Sequence, residues 1–314
     1  MKRLISLGVS TLILIVIYSK IDFSGLIKVF QNCDGWWMTI SLGMVVPLTL
    51  ITAWRLQQLM PDGARLGFAE ANRLILAASV LNMVLPSKMG DIAKAYFMKQ
   101  RGHLNGSLSL SLVVFEKACD MLSLLLWCVF GLMLYPSKNW LFWTMTTSVA
   151  IGLVIGILLL SSRKFTNLFF SLAQVISPKK IKVKLEKIRL GWQEMYTYFW
   201  QDKQQLLKIA TTSILLWFLH LLQIWFFILA LKAWTPFLAN LALAPLAILA
   251  GLLPLTFAGV GTRDAALIVF YQPYFNSSTA AALGLLCTSR YLLPAIGGMP
   301  FLGQYMTTVR KLQR

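Results

Sequence analysis

Long apolar runs separated by short polar segments occupy most of the chain, and a membrane-spanning helix needs about 20 predominantly apolar residues. Six such runs predict spanning helices: Leu4–Tyr18, Trp36–Ala53, Ser107–Tyr135, Trp140–Leu160, Ile209–Leu231 and Thr279–Met306. Residues 1–18 also resemble a signal peptide, but no small-x-small cleavage site follows before Lys20, so we interpret them as a retained helix. The pattern predicts an all-α polytopic membrane protein.

Two further apolar segments are interrupted in the same way. One reads Val84-Leu85-Pro86-Ser87-Lys88-Met89-Gly90-Asp91, and the other reads Leu252-Leu253-Pro254-Leu255-Thr256-Phe257-Ala258-Gly259-Val260-Gly261-Thr262-Arg263-Asp264. Proline stops a first half-helix, Gly90 or Gly261 allows a tight turn, and Asp91 or Thr262 can cap the second half-helix. We therefore predict broken or re-entrant hairpins over 72–100 and 240–272. The alternative is a pair of ordinary kinked spans whose likeness is compositional.

The distribution of charged residues predicts how the spans are oriented in the membrane. Hydrophobic residues are 58% of the chain and charged residues 13%, yet the net charge is +18. Ten lysines and arginines crowd residues 161–208 and others lie near both termini and within 55–101, whereas 19–35, 136–139, 232–240 and 271–278 carry few. Cytoplasmic loops of membrane proteins are rich in Lys and Arg, so both termini are predicted to be cytoplasmic and a nucleic-acid partner is not expected. The first broken segment then enters from the cytoplasmic side and the second from outside. This predicts an inverted repeat, divided into 1–160, a basic connector over 161–208, and 209–314.

The connector contains an amphipathic stretch over 181–200. Its apolar residues fall on one helical face and basic residues flank them: Leu185, Ile188, Trp192, Met195, Tyr196 and Phe199 on the face, with Lys182, Lys184, Lys187 and Arg189 beside it. A basic amphipathic helix next to a membrane can lie on anionic lipid. The alternative is a connector whose apolar face packs on the helical bundle.

Ionisable residues inside apolar runs are the candidate site residues, because charge at bilayer depth is costly and is usually paired or functional. Near the two turns lie Lys88, Gly90, Asp91, Lys94, Gly261, Arg263 and Asp264, and within spans lie Glu116, Lys117, Asp120 and Arg290. Spacing of four places Glu116 and Asp120 on one helix face. We expect these residues to bind a lipid headgroup in a central cavity. A structural ion-pair network, or lysines that reach the interface, is the alternative. No metal or other cofactor is expected, because the cysteines and histidines lack ligand spacing.

Three motifs resemble the lysylphosphatidylglycerol synthase transmembrane family. Pro86, Lys88, Gly90, Asp91 and Lys94 match a Pro-x-basic-x-Gly-acidic-x-x-basic pattern. The second motif is acidic-basic-x-x-Asp, from Glu116 to Asp120, with Lys117 where arginine is more usual. The third resembles Gly-x-Gly-x-Arg-Glu-Ala, with Asp264 in place of glutamate. Lysine lacks the bidentate fork of arginine, which weakens the expected phosphate contact at Lys117.

The resemblance implies a flippase that moves an anionic phospholipid or a polyprenyl-linked lipid between leaflets of the cytoplasmic (inner) membrane. Arg314 follows the last run closely, which favours a stand-alone unit over one fused to an aminoacyl-transfer domain. The opposing hypothesis is a membrane-embedded transferase for glycosyl or aminoacyl groups, or its accessory subunit, because carboxylates are available as acid or base. Against an enzyme, the chain has no Gly-Lys-Ser/Thr phosphate loop and no serine elbow. Assembly into a homo-oligomer is left open.

Overall fold

The computed structural model of the chain describes residues 23–84, 89–101, 104–135, 138–252 and 261–313, and these ranges contain helices and no β-strand. The helices are α1 (Phe23–Gln31), α2 (Gly35–Gly43), α3 (Val45–Leu59), α4 (Phe68–Val84), α5 (Met89–Arg101), α6 (Gly106–Leu134), α7 (Trp140–Ser161), α8 (Arg163–Ile176), α9 (Lys179–Gln201), α10 (Lys203–Ala230), α11 (Phe237–Gly251), α12 (Thr262–Tyr271) and α13 (Ser277–Gln313). The predicted all-α class is confirmed.

Five stretches of the described chain are long and apolar enough to cross a membrane. They are Gly35–Leu59, Gly106–Leu134, Phe142–Ser161, Lys203–Ala230 and Ser277–Gly303. Each matches a predicted run, and the sixth, Leu4–Tyr18, lies outside the described residues. The first stretch is interrupted between α2 and α3, because Pro47 lacks the N–H that would bond back to Gly43. It also continues past Ala53, its predicted end, to Leu59.

Both broken segments form pairs of helices that pack against each other. α4 packs on α5 and α11 packs on α12. The residues between the helices of each pair, 85–88 and 253–260, include Pro86, Lys88 and Pro254 and lie outside the described residues. The prediction of two interrupted helical hairpins agrees with these pairs, whereas the inverted repeat and the re-entrant path through a bilayer stay predictions.

The chain divides into two compact units. The first contains described residues within Met1–Pro47, Leu124–Val149 and Trp217–Tyr291, and the second contains those within Leu48–Ser123, Ala150–Leu216 and Leu292–Arg314. The pair α11–α12 belongs to the first unit and the pair α4–α5 to the second. The predicted segments 1–160, 161–208 and 209–314 are each continuous in sequence, whereas each compact unit combines three separate stretches. The predicted division stays a prediction.

The apolar face of α9 packs inside the second unit. Trp192, Met195 and Phe199 are buried, and the ring of Phe199 stacks on that of Phe115 in α6 at 4.5 Å. Gly191 lies where a Cβ would meet the Ser107 backbone and the Ser111 hydroxyl, so glycine allows α9 to approach α6 closely. Of the two interpretations of residues 181–200, packing on the bundle is confirmed.

Candidate functional site

A cluster of charged side chains joins four helices of the second unit. Arg55 of α3 donates from Nη1 to Asp120 Oδ1 at 2.5 Å and from Nη2 to Glu116 Oε1 at 3.1 Å. Nη1 also donates to the hydroxyl of Ser213 in α10 at 2.9 Å. Lys94 of α5 forms an ion pair with the other oxygen of Glu116. We call these residues, together with Asp91 and Lys117, the charged cluster.

The charged cluster has a buried interior and an accessible edge. The side chains of Arg55, Lys94 and Glu116 are 2–3% exposed. Lys117 is 48% exposed, and its Nζ lies 3.5 Å from Asp91 and 4.0 Å from Asp120. Three cations face three carboxylates, so the cluster is neutral as a whole. Its interior is held by short ion pairs, whereas Lys117 makes only long ones.

The structure supports one sequence prediction here and corrects another. Glu116 and Asp120 share a face of α6, because both accept from one guanidinium. The predicted end of the second apolar run at Ala53 would leave Arg55 in the loop that follows, and that expectation is wrong. The helix continues past Ala53, and the buried residues Leu56 and Leu59 keep the apolar face of α3 turned inward. That continuing periodicity is the signal from which Arg55 is recognisable as an interior residue.

Glycine and aspartate near the first break lie in the opening turn of α5 rather than before it. Asp91 is in the first turn, and Asn82 of α4 lies 3.5 Å from its Oδ1. A Cβ at Gly90 would meet the Ala78 carbonyl oxygen and Asn82. Gly90 therefore acts by letting α4 and α5 approach closely, which differs from the predicted role in a tight turn.

The second break ends in a glycine whose conformation other residues rarely adopt. Gly261 has φ 101° and ψ −63° and is the N-cap of α12. Its N–H donates to Asp264 Oδ2 at 3.0 Å, so the acidic residue in the first turn satisfies the helix start. The predicted cap at Thr262 is wrong, because Thr262 is the first helical residue. The predicted turn at Gly261 is confirmed.

Arg263 is buried and bound on several sides. Its Nε and Nη2 donate to Asp264 Oδ1 at 3.0 and 2.7 Å, and Nη2 also contacts the Gly284 carbonyl oxygen and the Thr288 hydroxyl at 2.9 and 2.8 Å. A Cβ at Gly284 would lie 2.7 Å from Asp264 Oδ1, and one at Gly251 would lie 2.7 Å from Arg263 Cβ. The two glycines therefore give the Arg263–Asp264 pair its space between α11 and α13.

Arg290 is a span residue of the first unit, and no carboxylate of the described residues forms an ion pair with it. Its Nη2 lies 2.9 Å from Nδ1 of His220 in α10, and its buried Nε has no hydrogen-bond partner. An arginine can only donate, so Nδ1 must accept and the imidazole must carry its proton on Nε2. His220 is thus a hydrogen-bonded residue of α10.

The predicted site residues thus fall into separate groups. Asp91, Lys94, Glu116, Lys117 and Asp120 form the charged cluster of the second unit. In the first unit, Gly261, Arg263 and Asp264 contact one another, and Arg290 contacts His220. Lys88 lies outside the described residues. A cavity common to these groups stays a prediction.

The comparisons with known proteins agree with the resemblance in the motifs. Residues 3–298 match the sequence profile of the family described as the lysylphosphatidylglycerol synthase TM region. The UPF0104 membrane protein MJ1595 of Methanocaldococcus jannaschii is 22% identical over 324 residues, covering 95% of this chain and 93% of that protein. The matched stretch includes all five candidate spans almost to their ends and every residue of the charged cluster.

Proposed function

Because this chain belongs to the lysylphosphatidylglycerol synthase transmembrane-region family, we propose that it is a lipid flippase that moves an anionic or lipid-linked polar headgroup between bilayer leaflets. It is a multi-pass membrane protein with five candidate spans in its described part. Charged groups within such spans are expensive, and they are kept where they line a substrate path or hold one another.

The observation that carries the proposal is the contrast between Lys117 and the interior of the charged cluster. Arg55, Lys94 and Glu116 form ion pairs with one another and are closed to solvent and lipid, although the buried Nε of Arg55 has no hydrogen-bond partner. Lys117 lies on a candidate span, is half exposed, and has only distant carboxylate partners. A headgroup phosphate can replace those partners at small cost, because a weak ion pair is given up for a charge-assisted hydrogen bond.

Arg290 supplies a second cation for the same chemistry. It lies on the candidate span Ser277–Gly303, pairs with a neutral histidine, and retains a buried donor without an acceptor. A cation of this kind is stabilised by an anion that the chain does not provide. Arg263 differs, since Asp264 and two other acceptors already engage it.

The distribution of charge also predicts which side of the membrane Lys117 faces. The second unit contains both the charged cluster and the basic residues of 161–208. By the positive-inside rule we expect the basic residues of 161–208 on the cytoplasmic side of the cell membrane. Lys117 would then meet headgroups of the cytoplasmic leaflet.

Reconstitution into liposomes tests the proposal. Fluorescent phosphatidylglycerol, phosphatidylcholine and a polyprenyl phosphate are placed in the vesicles, and a membrane-impermeant reductant reports which leaflet each occupies. We expect protein-dependent movement of the anionic lipids, reduced about 10- to 100-fold by Lys117→Gln, since a hydrogen bond to a charged group is worth roughly 1.5–3 kcal/mol. Lys208→Gln removes an exposed lysine elsewhere and is the control. No movement of any lipid by folded protein would refute transport.

A transferase is the second candidate, and the accessible edge of the charged cluster is what favours it. The side chains of Asp91 and Asp120 are 17% and 24% exposed, so a substrate can reach either carboxylate. An acid or base must lie within hydrogen-bond reach of the reacting group. Incubation with labelled glycosyl and aminoacyl donors, comparing the protein with Asp91→Asn and Asp120→Asn, separates the candidates. A new lipid product that both variants abolish would favour the enzyme.

A further inference from the structure

Helix α8 has a continuous apolar face that the described part of the chain leaves exposed. Leu168, Phe169, Leu172 and Val175 are exposed, and Val175 reaches 76%. Their spacing places them on one side of the helix. This is a different surface from the apolar face of α9, which is buried, so the sequence pattern over 181–200 does not account for it.

The opposite face of α8 is fully engaged with α9. Phe170 is buried against Trp192, and the Gln193 amide donates to Asn167 at 2.8 Å. Gln174 donates to Glu186 at 2.6 Å. Hydrogen bonds from Arg189 and from Gln174 lower the pKa of Glu186, which keeps this carboxylate ionised as an acceptor. The exposed apolar face is therefore presented by a helix whose orientation is fixed.

The position of α8 in the chain limits what this face can contact. Ser162 alone separates it from the candidate span that ends at Ser161, and its extended backbone (φ −122°, ψ 110°) breaks the helix there. The Ser162 hydroxyl accepts from Phe165 N at 3.2 Å and starts a new helix. With 14 residues, α8 is about 21 Å long, too short to cross a hydrocarbon core of about 30 Å.

Basic residues flank the helix in the sequence. Arg163 and Lys164 open it, and Lys179, Lys180 and Lys182 follow it closely in the chain. Anionic leaflets attract such clusters, while apolar side chains of an interfacial helix enter the boundary between headgroups and acyl chains. We propose that α8 lies in the interface of an anionic leaflet, with Leu168, Leu172 and Val175 in the acyl boundary.

Helix α8 is connected to the charged cluster by contacts through α9. α8 is bonded to α9, and Phe199 of α9 stacks on Phe115, the residue next to Glu116 in α6. The contact connects α8, through α9, to the helix that contains Glu116. The inference stands without lipid transport, because it concerns only where α8 lies.

Site-directed spin labelling of the full chain in nanodiscs tests the inference. Cys119, Cys128 and Cys287 are buried, so replacing Cys33 leaves a background in which one introduced cysteine is labelled. Labels are placed at Leu172 on the apolar face and, as matched control, at its neighbour Ser171. Accessibility to oxygen reports lipid, and accessibility to a water-soluble nickel chelate reports solvent.

We expect the Leu172→Cys label to collide with oxygen and to sit about 5–10 Å below the headgroup level, and the Ser171→Cys label to collide with the chelate. The Leu172 label should lie deeper with phosphatidylglycerol than with phosphatidylcholine alone. A Leu172 label open to the chelate, or one shielded from both reagents as by a second copy or another protein, overturns the inference. Equal depth in the two lipids overturns its anionic part. Val175→Cys repeats the measurement if Leu172→Cys does not fold.

Discussion

Arg55 and Glu116 form a buried ion pair of 3.1 Å, although 61 positions separate them in the chain. Glu116 also binds Lys94, so one carboxylate connects α3, α5 and α6. Burying three charges is costly, and the cost is offset only while every partner is present. The arrangement makes the interior of the charged cluster a structural centre that holds the accessible lysine in place.

Replacing Arg55 with glutamine should destabilise the protein strongly. The change leaves Glu116 with Lys94 alone and removes the donor to Asp120 and Ser213. Breaking one side of a buried ion pair costs about 3–5 kcal/mol. Unfolding in detergent, followed by tryptophan fluorescence, measures the loss, with Lys208→Gln as control. A loss within about 1 kcal/mol of the control would contradict a structural role.

Pairing is tested separately by a double-mutant cycle with Glu116→Gln. Each single variant leaves an unmatched charge, whereas the double variant removes both, so its loss should be smaller than the sum of the two. An additive result would mean that Arg55 and Glu116 act independently.

Gly284→Ala should disturb the Arg263–Asp264 ion pair although it replaces no charged residue. Its Cβ would lie 2.7 Å from Asp264 Oδ1, so the carboxylate must move away from Arg263 or α12 must move from α13. Overpacking of this kind typically costs about 1–3 kcal/mol. Gly303→Ala, in the same helix, is the matched control, because nothing lies within 4 Å of a Cβ there. Equal melting temperatures for the two variants would contradict the packing argument.

Local patterns predicted what depends on local geometry. The spacing of Glu116 and Asp120 indicated a shared face because a helix repeats every 3.6 residues. Arg55 was not predicted as a site residue, because a cation after an apolar run is typical of a cytoplasmic span end. Its partners also come from helices far along the chain. The close-packing roles of Gly90 and Gly284 were not predicted for the same reason, since the atoms they face lie on other helices. Their roles follow from packing that periodicity does not report.

Asp264 stands where the motif that the sequence resembles has glutamate, and the surroundings fit the shorter side chain. Asp264 is 3% exposed and faces Gly284 closely. Asp264→Glu adds a methylene and should cost about 1–3 kcal/mol. Asp264→Asn leaves buried Arg263 without its counter-charge and should cost about 3–5 kcal/mol. Free energies of unfolding measured in detergent rank the two variants, with Glu194→Gln, a change at an exposed residue, as the control. Asparagine more stable than glutamate at this position would contradict the ion pair.

Arg290→Gln should separate lipid binding from folding. The variant removes a span cation that has a neutral partner in His220, so stability without anionic lipid should stay within about 1 kcal/mol of the parent. Affinity for phosphatidylglycerol should fall about 10- to 100-fold, because a charge-assisted hydrogen bond is lost, while phosphatidylcholine binding stays the same.

Native mass spectrometry of the detergent-solubilised protein, titrated with each lipid, measures both affinities. Arg290→Lys is the informative comparison, since it keeps the charge but not the planar fork, and it should fall between the parent and Arg290→Gln. If Arg290→Gln binds phosphatidylglycerol as tightly as the parent, the headgroup does not use this arginine. In that case the orphaned Nε is a tolerated packing defect, and Lys117 alone carries the recognition of the phosphate.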